Sequence, residues 1–343
     1  MIEVGVVGLG FMGRTHLGAY EAARTGGRQV RLAAVSDPSE KRRAGDLGGG
    51  GNLATEGAAF DPAEVRAYAT ASELFADPEL HALSLCTPTD THVDLACEAL
   101  TAGKHVLVEK PIALTANEVR RLRDVASGVS GLLMPAMCIR FWPGYTFLAQ
   151  AIADARYGAL RGLDLVRLGS RPDWNQGFYA DAARSGGALF DLHVHDVDFA
   201  VACLGLPEAI TSSGDRDHVS SLWHYPRGAS GSPPLRVSIE GGWDHDPSFP
   251  FRMEFRAVFE RATVEFALSG GAALWVCEGG RRQAIELESG DGYAGEVNAF
   301  LDAIAAGDTE PPVTIDDALA ATVALEATER ALVSGRSETV ERS

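Results

Sequence analysis

Apolar and polar positions divide the chain into two differently patterned parts. Up to about residue 125, short apolar runs rich in β-branched residues alternate with stretches of helical periodicity. The apolar runs are at 2–7, 32–36, 83–86 and 106–108, and the helical stretches include 14–24 and 93–100. Strands that alternate with helices predict a parallel sheet with helices on both faces.

From about residue 131 the pattern becomes mainly strand-like. Strand patterns occupy 162–169, 235–240, 251–259, 263–268 and 273–277, and helical patterns cover 185–204, 296–305 and 315–333. A mainly antiparallel sheet backed by helices accounts for this part most simply. We therefore predict an α/β protein with two domains, at residues 1–128 and 129–343, because 343 residues are too many for one ordinary core. Glycine-rich stretches at 48–61 and 226–234 predict surface loops.

The charge of the chain narrows its partners. The formal net charge is −17 and the isoelectric point is about 4.9. Such a surface repels phosphate groups, so we expect neither nucleic acid nor a membrane as a partner. Five widely spaced cysteines without a C-x-x-C pair indicate reduced thiols rather than disulfides. No signal peptide and no membrane-spanning segment is recognisable, so we expect a cytoplasmic protein.

A glycine-rich motif follows the first apolar run. Gly8-Leu9-Gly10-Phe11-Met12-Gly13 matches G-x-G-x-x-G between a predicted strand and a predicted helix. The first glycine permits the tight turn, the second lets a pyrophosphate approach the backbone, and the third lets the helix pack closely. Gly8, Gly10, Phe11, Met12 and Gly13 are therefore predicted to bind a dinucleotide at the positive end of the helix dipole.

Asp37 ends the second predicted strand, where dinucleotide-binding domains place a ribose-binding carboxylate. Its charge would accept hydrogen bonds from the ribose hydroxyls and repel a 2′-phosphate, which favours NAD over NADP. Arg42 and Arg43 follow closely and would soften that preference, so NADP is not excluded. Asp37 would also suit the cap of the next helix, and the two roles are compatible.

Three further motifs follow the glycine motif along the chain. They are TPTDTH at 87–92, GKHVLVEKPI at 103–112 and GGALFDLHVHDVD at 186–198. Together the four motifs resemble the Gfo/Idh/MocA oxidoreductase family, which includes inositol dehydrogenases and glucose–fructose oxidoreductase. The Glu-Lys-Pro segment and the Gly-Gly…Asp-x-x-x-His segment are each fairly specific. Their joint occurrence, in order and over nearly the whole chain, is more specific still.

The resemblance implies a Rossmann domain followed by an α/β domain whose open sheet often forms a subunit interface. It implies that Lys110, Asp191 and His195 occupy the positions of the family's catalytic lysine, aspartate and histidine. The cofactor-binding residues that it adds are Thr87, Pro88, Thr89, His92, Glu109 and Lys110. It implies hydride transfer between NAD(P) and a hydroxyl or carbonyl carbon of a sugar, cyclitol or related polyol. We also expect a homodimer or homotetramer, because the sheet face would otherwise leave apolar surface exposed.

The residue types suit this chemistry. Hydride transfer at a carbon bearing a hydroxyl needs a group that accepts or donates a proton. Lys110 follows an apolar strand and is expected at its carboxyl end, where open α/β sheets bind ligands. On one continuous helix, Asp191 and His195 would share a face, and the carboxylate would fix the imidazole tautomer. His193 would point elsewhere, so no metal ion is expected between the two histidines.

Aromatic and fork-shaped polar side chains provide candidate substrate contacts. These candidates are Arg140, Trp142, Tyr145, Arg171, Trp174 and Asn175. The segment before Arg140 departs from many relatives, which have an Asn, His or Tyr there, whereas this chain has Met137, Cys138 and Ile139. This departure concerns the substrate contacts that are expected from the segment around Arg140.

Two other functions stay open. The resemblance also covers NAD-using glycosidases, which oxidise the sugar transiently and regenerate the cofactor while a glycoside bond is cut. A regulator that senses the nucleotide would need the glycine loop but not the proton-transfer groups. The presence of Lys110, Asp191 and His195 argues against the regulator.

Overall fold

A computed structural model describes residues 1–48, 60–173, 175–226, 234–268, 271 and 273–341. The predicted loops at 48–61 and 226–234 lie largely outside these ranges, as does Trp174. The chain forms two compact units, of which the first comprises 1–138, 173–178 and 291–319, and the second 139–172, 179–290 and 320–343. No helix in the described ranges is both long and apolar enough to cross a bilayer.

Strands and helices alternate over the first 168 residues, whereas seven strands follow one another between residues 209 and 285 with no helix between them in the described residues. The strands are β1 (Ile2–Val7), β2 (Val30–Ser36), β3 (Arg66–Tyr68), β4 (Ala82–Leu85), β5 (His105–Glu109), β6 (Leu133–Ala136), β7 (Leu160–Leu168), β8 (Ala209–Gly214), β9 (His218–His224), β10 (Arg236–Gly242), β11 (Arg252–Phe259), β12 (Ala262–Ala267), β13 (Ala273–Glu278), β14 (Arg281–Ile285) and β15 (Glu338–Thr339). The helices are α1 (Phe11–Thr25), α2 (Glu40–Arg43), α3 (Ala71–Phe75), α4 (His92–Thr101), α5 (Ala116–Ala126), α6 (Pro143–Ala153), α7 (Gln176–Tyr179), α8 (Ala182–Ser185), α9 (Gly187–Asp191), α10 (Val194–Leu204), α11 (Gly292–Ala306) and α12 (Ile315–Ser334).

The first unit contains a six-stranded parallel sheet in the order β3-β2-β1-β4-β5-β6. This is the strand order of doubly wound dinucleotide-binding domains. Val6, Leu83 and Leu107 in the central strands are fully buried, as expected for strands covered on both faces. The predicted α/β class with a parallel first sheet is confirmed, and the switch in strand order falls between β1 and β4.

The first unit also takes in chain segments that follow residue 128. Strand β6 pairs with β5. Helix α11 packs against α1, although the two helices are far apart in sequence. The guanidinium of Arg28 pairs with the carboxylate of Asp302 at 2.8 Å. Hydrophobic periodicity carries no information about which sheet a distant element joins. The sequence therefore does not show that α11 belongs to the first unit. The division into domains at 1–128 and 129–343 stays a prediction.

The second unit contains a nine-stranded sheet in the order β14-β13-β12-β11-β7-β10-β9-β8-β15. Strands β7 and β10 are parallel, and every other neighbouring pair is antiparallel. Met253, Phe255 and Ala257 alternate along β11 and are buried on one face of the sheet. Tyr145 of α6 packs edge-on against Phe255 with 5.1 Å between ring centroids. Because Tyr145 is fully buried, it is a core residue rather than a substrate contact.

The opposite face of this sheet is mostly polar. The guanidinium of Arg256 lies 2.7 Å from the carboxylate of Asp164, and that of Arg236 lies 3.4 Å from it. On the described part of the sheet, Leu222 is the large hydrophobic residue that is exposed, at 51%. The expectation that this face leaves a large apolar surface uncovered is therefore wrong. The expectation was wrong because it considered only the apolar positions of these strands and not the charged residues that alternate with them.

The helical pattern at 185–204 does not form one helix. Helix α8 ends at Ser185, α9 covers only Gly187–Asp191, and α10 begins at Val194. Gly186 and Gly187 have φ angles of 75° and 71°, which L side chains rarely adopt. The amide of His193 donates to the carbonyl of Ala188 five positions earlier, which widens the turn between α9 and α10.

Candidate functional site

Glycines shape the loop between β1 and α1. Gly8 has a φ of +86°, and a Cβ at Gly13 would lie 1.9 Å from the carbonyl oxygen of Gly8. A Cβ at Gly10 would meet nothing within 4 Å, and Gly10 caps α1 without a side-chain hydrogen bond. Phe11 and Met12 form the first turn and are half-buried. The space over Gly10 and the positive end of α1 together suit a diphosphate.

Asp37 follows β2 and is 3% exposed. Its Oδ2 accepts a hydrogen bond from the amide of Leu9 at 2.8 Å, and its Oδ1 accepts one from the amide of Ser39 at 2.8 Å. Helix α2 is capped by Ser39, whose side chain accepts from the amide of Arg42, so Asp37 is not the cap residue. The carboxylate thus stabilises the glycine loop in addition to standing at the predicted ribose position.

Three arginines surround this end of the sheet. Arg42 Nη1 lies 3.4 Å from Asp37 Oδ2, and Arg43 Nη1 donates to the carbonyl of Asp37 at 2.6 Å. Arg14 donates to the carbonyl of Gly48, and partial burial together with the charge of Arg42 lowers its pKa. These cations would attract a 2′-phosphate, so discrimination against NADP depends on the charge of Asp37.

The loop after β4 is held to the loop after β5 by a histidine. His92 is 1% exposed, and its Nδ1 lies 2.9 Å from the carbonyl oxygen of Pro111. Its Nε2 lies 2.8 Å from the carbonyl oxygen of Thr87. Burial lowers the pKa of His92, although both hydrogen bonds oppose this. His92 therefore positions the predicted cofactor loop and does not present its ring nitrogens to a ligand, while Pro88 and Thr89 form the turn itself.

A buried polar chain runs behind the end of β5. Glu109 is 4% exposed, and its Oε1 lies 2.8 Å from Nε2 of His16. The other nitrogen of His16 lies 3.0 Å from the hydroxyl of Ser84, which also contacts the hydroxyl of Tyr20 at 2.8 Å. Glu109 Oε2 accepts from the amide of Lys110 at 3.1 Å. Glu109 thus fixes the backbone beside Lys110 and is bonded within this buried chain, and its contact with the cofactor stays a prediction.

Glu296 of α11 completes this chain, and sequence reasoning missed it. It is fully buried, its Oε1 lies 3.8 Å from His16 Nε2, and neither oxygen has a hydrogen-bond partner in the described part of the protein. Burial and the neighbouring charges of Glu109 and Asp291 raise its pKa well above the ordinary value. The available signal was a glutamate at the start of an otherwise apolar helical stretch, 187 positions beyond Glu109 (296 − 109).

Lys110 stands at the carboxyl end of β5 and is half-buried. Only three lysines occur among the 30 basic residues of the chain. Lys41 is exposed, and Lys104 is buried with its ammonium group donating to the carbonyls of Asp77 and Leu80. Lys110 is therefore the one lysine at the sheet edge that carries the glycine loop.

In the second unit, Asp191 and His195 are both half-buried but lie on different helices. The prediction that they share one helix face is wrong, because α9 ends at Asp191 before α10 begins. His193, at the break, is fully buried, and burial lowers its pKa to about 3. Its ring fits against Gly241, where a Cβ would lie 2.7 Å from Nδ1. His193 is thus a neutral core residue.

Two acidic residues of α10 bind arginines in the second unit. Arg167 and Asp196 form a buried bidentate pair with distances of 2.8 and 2.9 Å. Arg140 donates through Nε and Nη2 to Asp198 at 2.8 and 2.6 Å. The guanidinium fork of Arg140 is therefore used within the protein, which argues against its role as a fork for substrate. Charge patterns along the sequence do not reveal such pairs because their members lie about thirty to sixty positions apart.

The other candidate substrate contacts differ in accessibility. Trp142 is 7% exposed and precedes α6 as its cap residue. Arg171 is exposed, pairs with Asp217 and lies with its guanidinium 5.8 Å from the ring centroid of Trp243. Asn175, in the first unit, is exposed, and its carbonyl accepts from an amide of α7. Arg171 and Asn175 are thus the accessible candidates in the described part of the chain.

Comparison with known proteins assigns the family. Residues 2–136 match the family model described as "Oxidoreductase family, NAD-binding Rossmann fold", and residues 145–265 match the GFO/IDH/MocA C-terminal domain. The chain is 33% identical to the rhizopine catabolism protein MocA of Rhizobium meliloti, over 67% of this chain and 69% of that protein. The chain belongs to the Gfo/Idh/MocA family.

Two other known proteins resemble the chain over nearly its whole length. Inositol 2-dehydrogenase of Rhizobium meliloti (strain 1021) is 28% identical over 98% of both chains. The structure of a levoglucosan dehydrogenase in complex with NADH and levoglucosan superposes with a TM-score of 0.82, covering 99% of this chain and all of that one. At 18% identity this second likeness concerns the fold alone. The chain is an oxidoreductase of this family, and NAD is its cofactor.

The charge of Asp37 generates a prediction about the cofactor. We expect Asp37→Asn to lower the ratio of the NADPH and NADH dissociation constants at least about tenfold, a difference of about 1.4 kcal/mol. The reason is that the 2′-phosphate would then meet Arg42 and Arg43 without an opposing carboxylate. Quenching or enhancement of nucleotide fluorescence measures both constants. Asp94→Asn, on the exposed surface of α4, is the control, and an unchanged ratio in Asp37→Asn would contradict the argument.

The raised pKa of Glu296 generates a prediction about stability. The folded protein binds a proton that the unfolded chain releases above about pH 4.5, so this stabilisation is present at low pH and is lost as pH rises toward the folded-state pKa. Glu296→Gln keeps the shape and removes the titration. We expect the variant to gain stability over wild type as pH increases, by up to about 1.4 kcal/mol per pH unit.

Denaturation midpoints of the two proteins between about pH 5 and pH 8.5 measure this difference. Glu288→Gln, at an exposed position, serves as the control and should follow wild type at every pH. A stability difference between Glu296→Gln and wild type that is independent of pH would show that Glu296 does not hold a proton in the folded protein.

Proposed function

We propose that the protein transfers a hydride between NAD and a hydroxyl or carbonyl carbon of a sugar, cyclitol or related polyol. The observation that carries this proposal is Lys110, half-buried at the carboxyl end of β5 in the same unit and at the same sheet edge as the glycine loop. The name of the inositol 2-dehydrogenase, which aligns over 98% of its length, supports the substrate class. NAD bound at the glycine loop supplies the hydride acceptor or donor.

Lys110 provides the proton transfer at the substrate oxygen. A lysine can titrate when its surroundings disfavour the charge, whereas an arginine stays charged. The backbone of Lys110 is fixed by Glu109, whose own carboxylate is held by His16. A protonated Lys110 would stabilise negative charge that develops on the oxygen, and a neutral Lys110 would accept the proton of a hydroxyl group.

Asp191 and His195 are proposed as the second pair of catalytic groups. With the helix interrupted between them, their pairing depends on the turn at Leu192 and His193 rather than on helical spacing. His195 would exchange a proton with the substrate, and Asp191 would orient the imidazole. Arg171 and Asn175 are the accessible residues proposed to bind substrate hydroxyls.

The location and the assembly of the protein are further parts of the proposal. All five cysteines, each within the described residues, are free thiols, which supports a reducing, cytoplasmic location. A homodimer or homotetramer is proposed from the family resemblance, through the polar face of the second sheet. Charged pairs such as Arg256 with Asp164 would then lie at or near the interface.

Variants of Lys110 test the proposed function. We expect Lys110→Met to lower kcat by about 10²- to 10⁴-fold, because the proton transfer is lost, and to leave the dissociation constant for NADH within a few-fold. Lys110→Arg should lower kcat to a similar extent, because the guanidinium keeps the positive charge but does not release a proton. Lys41→Met is the matched control at an exposed lysine. Full turnover by a folded Lys110→Met protein would refute the assignment.

A further inference from the structure

Histidine and carboxylate side chains converge on one side of the second sheet. We propose that His218, Asp244 and His245 bind a divalent transition-metal ion such as Zn²⁺, with Glu240 orienting the ring of His218. No residue of this set belongs to the sequence motifs or to the proposed catalytic groups. Two imidazoles and one carboxylate are ligands that zinc and its neighbours prefer over calcium or magnesium.

The positions of the ligand atoms fit one small ion. Asp244 Oδ1 lies 2.7 Å from His218 Nδ1 and 3.3 Å from His245 Nδ1. The ligand atoms of all three residues lie within 4.8 Å of one another. In a tetrahedral zinc site with bonds of about 2.0–2.1 Å, ligand atoms are about 3.3 Å apart. The three residues would therefore need only small side-chain movements to share an ion.

The outer hydrogen bonds are those expected around a metal site. Glu240 Oε1 lies 3.1 Å from His218 Nε2, so that a proton on Nε2 leaves the Nδ1 lone pair directed at Asp244. Carboxylates commonly fix metal-binding histidines in this way. His245 Nδ1 is buried and has no hydrogen-bond partner among the residues that the structure describes. A bound ion would give this nitrogen the partner that it otherwise lacks.

The ligands lie at the ends of two neighbouring strands, because His218 begins β9 and Asp244 and His245 follow shortly after β10. His218 begins β9 and stands opposite Gly242 at the end of β10. A Cβ at Gly242 would lie 2.8 Å from the ring of His218, so glycine is what allows this close approach. The amide of Trp243 donates to the carbonyl of Asp217 at 2.9 Å, immediately before the other two ligands. Strand pairing thus positions His218, while a bridge from Asp244 to Ser170 and a hydrogen bond from the amide of His245 to the carbonyl of Gly169 at 3.4 Å hold the segment after β10.

Accessibility separates this cluster from the other group of acidic and histidine residues. The side chains of His218, Asp244 and His245 are 29%, 53% and 23% exposed, so a hydrated ion can reach them. His16 and Glu296 are fully buried, and His16 is already hydrogen-bonded to Glu109. The proton is the natural competitor at His218, since hydrogen bonds with Asp244 and Glu240 stabilise its imidazolium form.

Zinc titration of the chelator-treated full-length protein tests the proposal by calorimetry. We expect one equivalent of Zn²⁺ to bind, and His245→Ala and Asp244→Asn to weaken binding at least about 100-fold, more than the loss typical of an outer partner. Glu240→Gln should weaken it about 10- to 100-fold. His224→Ala is the matched control. His224 lies on the same strand as His218, and among the described hydrogen bonds its side chain contacts only the hydroxyl of Thr211.

Circular dichroism establishes that each variant is folded. If the His245→Ala variant does not fold, Asp244→Asn, at an exposed position, still tests the proposal. Absence of saturable binding below millimolar zinc would overturn the proposal. Equal binding by wild type and all the cluster variants would do the same. Loss of binding in Glu296→Gln alone would move the metal to the buried group. None of these outcomes depends on turnover, so they do not bear on the proposed function.

Discussion

The carboxyl ends of parallel strands lie at one edge of a sheet, and the functional architecture of the first unit depends on that constraint. The glycine loop, Asp37, Thr87 and Lys110 follow β1, β2, β4 and β5 in turn. These four strands are neighbours in the sheet, with the switch in strand order between β1 and β4. Residues that are between 23 (110 − 87) and 102 (110 − 8) positions apart in sequence are therefore placed along one crevice, as in other doubly wound sheets.

Two acidic side chains, Glu109 and Glu296, are buried behind the same edge. Glu109 must remain inside because it holds both His16 and the backbone of Lys110. Glu296 arrives from α11 without a hydrogen-bond partner, and the low-dielectric surroundings favour its neutral form. One carboxylate, rather than two, then stands next to Lys110. A single negative charge would hold the charged form of Lys110 less strongly than two would, which suits the proton exchange proposed for this residue.

Local patterns predicted much of this fold and part of the site. The strand and helix that flank the glycine motif, the buried strands and the family resemblance are confirmed, because each depends on short segments of contiguous residues. The prediction of one helix at 185–204 was wrong because glycines with positive φ at 186 and 187 separate α8 from α9, and a wide turn at 192–193 separates α9 from α10. The role of Arg140 changed because its partner, Asp198, is 58 positions away. Glu296 and the His218 cluster depend on tertiary proximity, which periodicity does not encode.

The central claim is net hydride exchange between NAD and a polyhydroxylated substrate. Its most direct test is to mix the purified protein with NAD or NADH and a panel of sugars, cyclitols and their keto forms, while following the near-ultraviolet absorbance of NADH. The account predicts that at least one panel member changes the absorbance, with one NADH formed or consumed per molecule of product. Tight NADH binding without any absorbance change across the panel, or cleavage of a glycoside with no net NADH, would contradict it.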